Sequence, residues 1–133
     1  MALDCLLIET LQQFSDGVPN NKGHSKRRYV KYLIDNFDEF DSDIAKMFYD
    51  KIRCGILHQA EVKSSSRIRI DSDLPIVKYS KDRKGLIINR RKFHKNLLEI
   101  INNYIDELKN SENIDLRKNL RKKMDFICRI NNQ

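Results

Sequence analysis

The stretch DSDIAKMFYDKIRCGILHQAE, residues 41–61, decides the fold and carries the strongest functional signal in the chain. At about 100° per residue, a helix built from it is apolar on two nearly opposite sides. One side holds Ile44, Ala45, Phe48, Ile52 and Ile56, and the other holds Met47, Cys54 and Leu57. A helix that covers one core needs a single apolar stripe. The second stripe therefore predicts a second partner, which is either another helix or another copy of the chain.

Two polar residues flank the second apolar side. With Ile52 at zero, Arg53 lies at about 100° around the helix and His58 at about 240°. If the second side is a symmetric contact, each chain places an Arg and a His at its rim. Arg53 and His58 are therefore the first functional candidates, and homodimerisation through this helix is the predicted assembly.

The rest of the chain predicts a mostly helical domain. Helical apolar repeats cover residues 2–14, a segment capped by Ser25, residues 90–109 capped by Asn89, and residues 114–131. The last helix has Leu116, Leu120, Met124, Ile127 and Ile130 on one side. Residues 76–88 predict a β-hairpin, and residues 67–70 a possible third strand. We predict one domain over residues 1–133. It is an all-α bundle of about five helices, with a small β-hairpin insertion at 67–88 after the helix of residues 41–61.

Composition limits the class of protein. The 133 residues are 40% hydrophobic and 34% charged, with only two Pro and four Gly, as in a well-solvated helical protein. No run approaches the roughly 20 apolar residues of a membrane span. The first ten residues, MALDCLLIET, lack the basic start of a signal peptide. The three Cys share no pairing pattern, so we expect a reducing, cytoplasmic location and no membrane association.

Positive charge is concentrated in the second half. Residues 67–133 hold 17 of the 26 Lys and Arg and carry the whole excess of the +7 net charge. Such asymmetry favours a polyanionic partner over an evenly solvated surface. Arg90, Arg91 and Lys95 open the predicted 90–109 helix and are the candidates for binding the phosphate groups of such a partner.

The segment Arg53-Cys-Gly-Ile-Leu-His58 matches the R-x4-H motif of HEPN domains. The motif lies late in an amphipathic helix, third in a small helical bundle. The wider stretch FYDKIRCGILHQAE resembles a bacterial HEPN-like branch in which a short β excursion follows the motif helix. In that branch the next helix opens with an N-R-x-x-F-like segment, and Asn89-Arg-Arg-Lys-Phe93 is similar to it.

The resemblance implies a metal-independent endoribonuclease that cleaves single-stranded RNA as a homodimer, commonly as a toxin or effector in bacterial antiviral defence. The ribose 2′-hydroxyl attacks the adjacent phosphate and leaves a 2′,3′-cyclic phosphate. His58 would transfer protons, because histidine titrates near neutral pH. Arg53 would hold the phosphate oxygens with its planar guanidinium. The resemblance also implies a partner protein, such as an antitoxin or a defence-system subunit.

Two neighbouring residues are accessory candidates. Cys54 follows the motif Arg, where many active members carry Asn, Asp or His, and a thiol is a weak hydrogen-bond donor. Glu61, three residues after His58, could orient a histidine or lie against the basic strand that follows. The three His and three Cys are scattered, so we expect no metal site and no cofactor.

Two alternatives stay open. The first is a catalytically inactive HEPN module that binds RNA or a partner protein in a defence or regulatory complex, and Cys54 favours it. The second makes Arg53 and His58 ordinary surface residues, with Arg53 paired to Asp50 or Asp43. His94 lies in the basic opening of the 90–109 helix, where it could bind phosphate or simply be solvated.

Overall fold

The computed structural model describes residues 1–129 as a mainly helical protein, 61% helical, with five helices and a three-stranded sheet. The α-helical segments are α1 (Ala2–Asp16), α2 (Ser25–Asn36), α3 (Ser42–Met47), α4 (Cys54–Gln59), α5 (Arg90–Lys109) and α6 (Ile114–Ile127), of which α3 and α4 belong to one continuous helix. The strands are β1 (Arg67–Arg69), β2 (Val77–Tyr79) and β3 (Leu86–Asn89). The helical prediction is confirmed at this level, but the sheet makes the fold mainly α rather than purely all-α.

One central helix over residues 42–59 organises the fold. It consists of α3, a π-helical segment (Phe48–Arg53) and α4, which follow one another without a break. The Asp41 carboxylate caps it by accepting the backbone N–H groups of Asp43 and Ile44. In the π-helical segment each hydrogen-bonded turn holds one more residue than an α turn, so the amide of Cys54 donates to the Tyr49 carbonyl.

Both apolar sides of the central helix contribute side chains that pack against the core. Ala45, Phe48 and Ile52 are buried as predicted, and Ile44 and Ile56 pack against them. Tyr49, about 60° from Ile52 on a regular helical wheel, is also buried at the edge of the same side. Met47 and Cys54 pack against the same core, whereas Leu57 is only partly buried. The chain itself therefore supplies part of the second partner that the sequence pattern predicts.

An aromatic cluster joins α2, the central helix and α5. The Phe93 ring stacks on Phe37 at 5.0 Å and on Phe48 at 5.3 Å between centroids. Phe40 packs edge-on against Phe48 at 5.4 Å. Stacked and edge-to-face aromatic pairs add to the stabilisation from burial alone. This cluster fixes where the central helix lies relative to the start of α5.

The small sheet has the strand order β1-β3-β2. β2 runs antiparallel to β3 as the predicted hairpin, and β1 pairs with β3 in parallel as the predicted third strand. Val77, Leu86 and Ile88 are buried against the helices. Because side chains alternate along a strand, the intervening residues Lys78 and Ile87 face away from the core.

The predicted apolar side of the last helix is wrong in part. Met124 and Ile127 are 42% and 52% exposed, whereas Lys123 is buried. Its ammonium donates to the Gln13 side-chain oxygen at 2.6 Å and to the Pro19 carbonyl. Polar contacts with the end of α1 thus position α6, and an apolar repeat alone does not predict them. Ile130 and the predicted end at residue 131 lie outside the described residues.

Candidate functional site

Arg53 lies at the end of the π-helical segment and points towards α1. One of its terminal nitrogens donates to the Glu9 carboxylate at 2.6 Å, and the two side chains are only 13% and 18% exposed. The guanidinium carbon lies 5.2 Å from the centre of the Tyr49 ring, a cation–π distance. The buried Nε–H of Arg53 has no hydrogen-bond partner among the described residues. The side chain is therefore fixed in place while it keeps an unused donor.

A short chain of hydroxyls completes this arrangement. The Tyr49 hydroxyl donates to Ser25 Oγ at 3.2 Å, and the Ser25 hydroxyl lies 3.4 Å from the other Glu9 oxygen. α2 begins at Ser25 with His24 in the cap position, so the prediction that Ser25 caps this helix is wrong. Its side chain is instead directed towards Glu9. Glu9, Ser25, Tyr49 and Arg53 form what we call the arginine cluster.

The electrostatics of the arginine cluster favour a permanent positive charge. Burial lowers the pKa of Arg53, but the hydrogen bond and the negative charge of Glu9 outweigh it and raise that pKa above its ordinary value. The proximity of Tyr49 and Cys54 raises it further. A guanidinium in this setting works as a fixed cation and hydrogen-bond donor and not as a proton carrier.

The sequence does not predict the other members of the arginine cluster. Arg53 pairs with Glu9, 44 residues away, and neither Asp50 nor Asp43 is its partner. Asp50 instead bonds Lys26 at 2.6 Å on the surface. Glu9 is a charged residue near the buried side of an amphipathic helix, and that position was the one available signal. The sequence does not indicate which cation lies opposite.

His58 lies in the last turn of α4 and is exposed. Within residues 1–129, its imidazole has no hydrogen bond or ion pair to a protein group, and none joins it to Arg53. One chain thus holds Arg53 in a polar cluster and presents His58 to solvent, five residues further along. A phosphate group or a second chain would have to bring the two side chains into one site.

The residues between and after the motif pair have structural roles. Gly55 is buried, and a β-carbon built there would lie 2.5 Å from the Glu61 carbonyl oxygen. The backbone after the helix therefore crosses directly over Gly55, and the Lys63 amide donates to the Lys51 carbonyl at 2.9 Å. The Glu61 side chain is exposed, and Cys54 is partly buried against the core.

The segment Asn89–Phe93, the second part of the resemblance, has structural roles at the start of α5. The Asn89 side chain accepts the Lys92 amide and donates to the carbonyls of Asp71 and Leu74. Phe93 is fully buried in the aromatic cluster. The candidate phosphate-binding residues Arg90, Arg91 and Lys95 are all exposed at this end of the helix.

A second polar pair lies between α5 and α1. His94 Nδ1 is 2.7 Å from Asp4 Oδ1, and the Asp4 carboxylate also bonds the Met1 amino group at 2.8 Å. Burial raises the pKa of Asp4, but its bonds to these two groups outweigh that effect and hold the pKa below its ordinary value. His94 therefore has a protein partner instead of being simply solvated.

Within residues 1–129, no three His, Cys, Asp or Glu side chains lie close enough to hold a metal ion. In the same range, the helices are too short or too polar to cross a bilayer. Comparison with protein-family models, curated proteins and solved structures gives no match.

Proposed function

We propose that the chain is a metal-independent endoribonuclease of the HEPN type, which cleaves single-stranded RNA as a homodimer. The proposal rests on one observation, the different surroundings of Arg53 and His58. Arg53 is held as a fixed cation by Glu9, and His58, five residues later, has an imidazole that is open to solvent. A fixed guanidinium and a free imidazole are the two groups that 2′-hydroxyl attack on a phosphate requires.

Each group has a defined role in this mechanism. Arg53 has five N–H donors, of which Glu9 takes one, so others are left to bind two phosphate oxygens. Glu9 orients the guanidinium and balances its charge until RNA binds. His58 takes the proton from the 2′-hydroxyl or gives one to the leaving 5′-oxygen. The products are a 2′,3′-cyclic phosphate and a 5′-hydroxyl, and a bacterial toxin or antiviral defence system is the proposed setting.

The second chain is part of the proposal because Arg53 and His58 diverge within one chain. Residues five apart on an α-helix differ by about 140° in direction. Two copies related by a two-fold axis beside α4 would supply two Arg53 and two His58 side chains around one phosphate. The partly buried Leu57, between them in the sequence, is the proposed apolar contact of that dimer.

One observation favours a second candidate function. The Arg53–Glu9 pair is largely buried, so it also has the geometry of a structural ion pair. In that case the chain is a catalytically inactive HEPN module that binds RNA or a protein partner in a defence or regulatory complex. Cys54, a weak donor beside Arg53, fits that alternative.

The experiment that tests the proposed mechanism uses two RNAs of one sequence. One is unmodified, and the other lacks the 2′-hydroxyl at the cleaved position. We expect wild-type protein to cut only the unmodified RNA, to do so in EDTA, and to leave cyclic phosphate ends. Equal cleavage of the two RNAs, or a need for magnesium, would contradict the mechanism. No cleavage of any RNA, alone or with natural partners, would favour the inactive module.

A further inference from the structure

The outer face of the sheet carries positive charge on β1 and β2, the two strands that flank β3. Arg67 of β1 and Lys78 of β2 both pair in register with Ile87 of β3. Residues directly opposite each other in neighbouring strands point to the same face. A row of cation, isoleucine and cation therefore crosses the sheet. Since strands are about 4.8 Å apart, its two cations are attached roughly 10 Å from each other.

Two more cations extend this row. Arg69 follows Arg67 by two residues and so lies on the same face, and Lys81 follows the end of β2. Arg67, Arg69 and Lys81 line an open groove of about 690 Å³ together with Ile87. We call Arg67, Arg69, Lys78 and Lys81 the basic sheet face. All four side chains are exposed.

The cations of the basic sheet face outnumber the acidic residues that line its groove. The ion pairs among residues 1–129 include none of its four cations. Asp82 also borders the groove, but its carboxylate accepts hydrogen bonds from Ser65, Ser80 and the Lys84 amide. Like charges on one face of a sheet destabilise it unless counter-ions or a ligand offset them. A polyanion would supply that compensation.

The basic sheet face is directly connected to the motif helix. β1 begins four residues after Lys63, whose amide is bonded to the π-helical segment at Lys51. The Lys51 ammonium also donates to the Ser64 carbonyl at 3.3 Å. The chain crosses Gly55 and then enters β1. The groove therefore begins, at Ser65, directly after the segment whose backbone is bonded to the central helix at Lys51.

Building on the proposed function, we propose that the basic sheet face binds the sugar–phosphate backbone of the single-stranded RNA. Arg67 and Arg69 bind successive phosphates along β1, while Lys78 and Lys81 attract the strand from across the sheet. Ile87 is the central side chain of the face, so no aromatic ring offers a base-stacking platform on this row. Binding is therefore independent of base sequence and strongly dependent on salt.

The test measures binding separately from cleavage. The probe is a fluorescein-labelled oligouridylate that is 2′-O-methylated throughout, so that it cannot be cut by 2′-hydroxyl attack. Fluorescence anisotropy gives its affinity for the full chain over a series of salt concentrations. Each lost phosphate contact lowers the salt slope by about 0.7 on a single strand. We expect Arg67→Gln/Arg69→Gln to lower the slope by about 1.4, which is a loss of about 25-fold at 0.1 M salt.

Three other paired variants each remove two positive charges elsewhere. Arg117→Gln/Lys118→Gln neutralises two exposed cations on α6 and should change the affinity by less than about threefold, through the long-range field alone. Arg90→Gln/Arg91→Gln tests the start of α5. Lys78→Gln/Lys81→Gln repeats the test on the other strand, and thermal melting checks that each variant is folded.

The possible outcomes separate this inference from the proposed function. A wild-type chain that does not bind the probe overturns the inference, as does an equal loss in the α6 pair. A larger loss in the α5 pair also overturns it and assigns the backbone contacts to Arg90 and Arg91. If wild type binds the probe through β1 but cuts no RNA, the proposed function fails and the basic sheet face remains an RNA-binding surface.

Discussion

At the residue scale, the ion pair between Arg53 and Glu9 links the packing of the helices to the proposed function. It joins the central helix to α1 across 44 residues of sequence. Breaking a buried pair by removing one partner leaves the other charge without compensation. A loss of activity in an Arg53 variant is therefore evidence about catalysis only if the variant is still folded.

A double-mutant cycle measures the strength of this pair. We expect Glu9→Gln and Arg53→Gln each to lower the free energy of unfolding by about 1–3 kcal/mol, because each leaves a largely buried charge unpaired. The double variant should lose less than the sum of the two, since no lone charge remains. Urea unfolding gives the three values. Additive losses would mean that the side chains do not interact in solution.

The buried Asp4 carboxylate predicts a dependence of stability on pH. Its pKa in the folded protein lies below the ordinary 3.8, because the Met1 amino group and His94 stabilise the ionised form against the cost of burial. The ionised group therefore stabilises the fold above pH of about 3.8, and this contribution is lost as the pH falls through the folded pKa.

Asp4→Asn isolates that contribution. We expect the difference in unfolding free energy between wild type and this variant to be constant above about pH 5 and to shrink below that. Urea unfolding at each pH provides the measurement. A difference that stays constant to the lowest pH at which the protein folds would show that Asp4 has the same pKa in both states.

At the scale of elements, the crossing of the chain over Gly55 determines the shape of the motif region. A β-carbon at this position would lie 2.5 Å from one backbone oxygen and 3.1 Å from the Lys63 amide nitrogen. Backbone atoms held in this way cannot move as the end of a flexible side chain can. The tight crossing explains a glycine in the middle of a helical motif, where it lowers helix propensity.

Gly55→Ala should therefore destabilise the protein by about 1–3 kcal/mol through overpacking, although alanine is the better helix former. The matched control is Gln59→Ala, an exposed position in the next helical turn, where we expect a change within about 0.5 kcal/mol. Thermal or urea unfolding compares the two. A neutral or stabilising Gly55→Ala would mean that the crossing backbone is free to move away.

Local patterns were sufficient to predict most elements but not how they pack. The hairpin over 76–88 and the Asn89 cap are confirmed, because strand alternation and capping depend on residues close in sequence. The π-helical segment was not predicted, since a wheel of constant pitch cannot register an added residue per turn. The polar docking of α6 through Lys123 was missed for a similar reason: its partners, Gln13 and Pro19, are over 100 residues away.

The candidate site could be predicted only in part. The motif identified Arg53 and His58, and the exposed His58 is consistent with an available imidazole. Glu9, Ser25 and Tyr49 could not be assigned to the site, because their contact depends on how three helices meet. The basic sheet face could not be predicted from the number of charges in the second half. Which cations share a face depends on the strand register.

At the scale of the whole molecule, the proposed homodimer makes a prediction about Leu57. This residue lies between the motif residues and is only partly covered by its own chain. Leu57→Glu should shift the protein towards monomer at micromolar concentration, because an unpaired charge is costly to bury in an interface. Leu98→Glu, at a 45% exposed leucine on α5, is the matched control and should leave the assembly unchanged.

Light scattering of the two variants and of wild type decides this point. A monomeric wild type would contradict the dimer. Dissociation by Leu98→Glu alone would place the contact on α5 and separate it from the motif.

Cleavage of single-stranded RNA by wild type and by His58→Ala, in EDTA, tests the central claim most directly. His24→Ala is the control, since His24 is an exposed histidine outside the motif. Loss of a general acid–base group typically slows a reaction by about 10²–10⁴-fold. We predict a loss of this size for His58→Ala, with unchanged thermal unfolding and with little loss for His24→Ala. Equal cleavage by wild type and His58→Ala would contradict the account, because the proposed proton transfer would then not depend on His58.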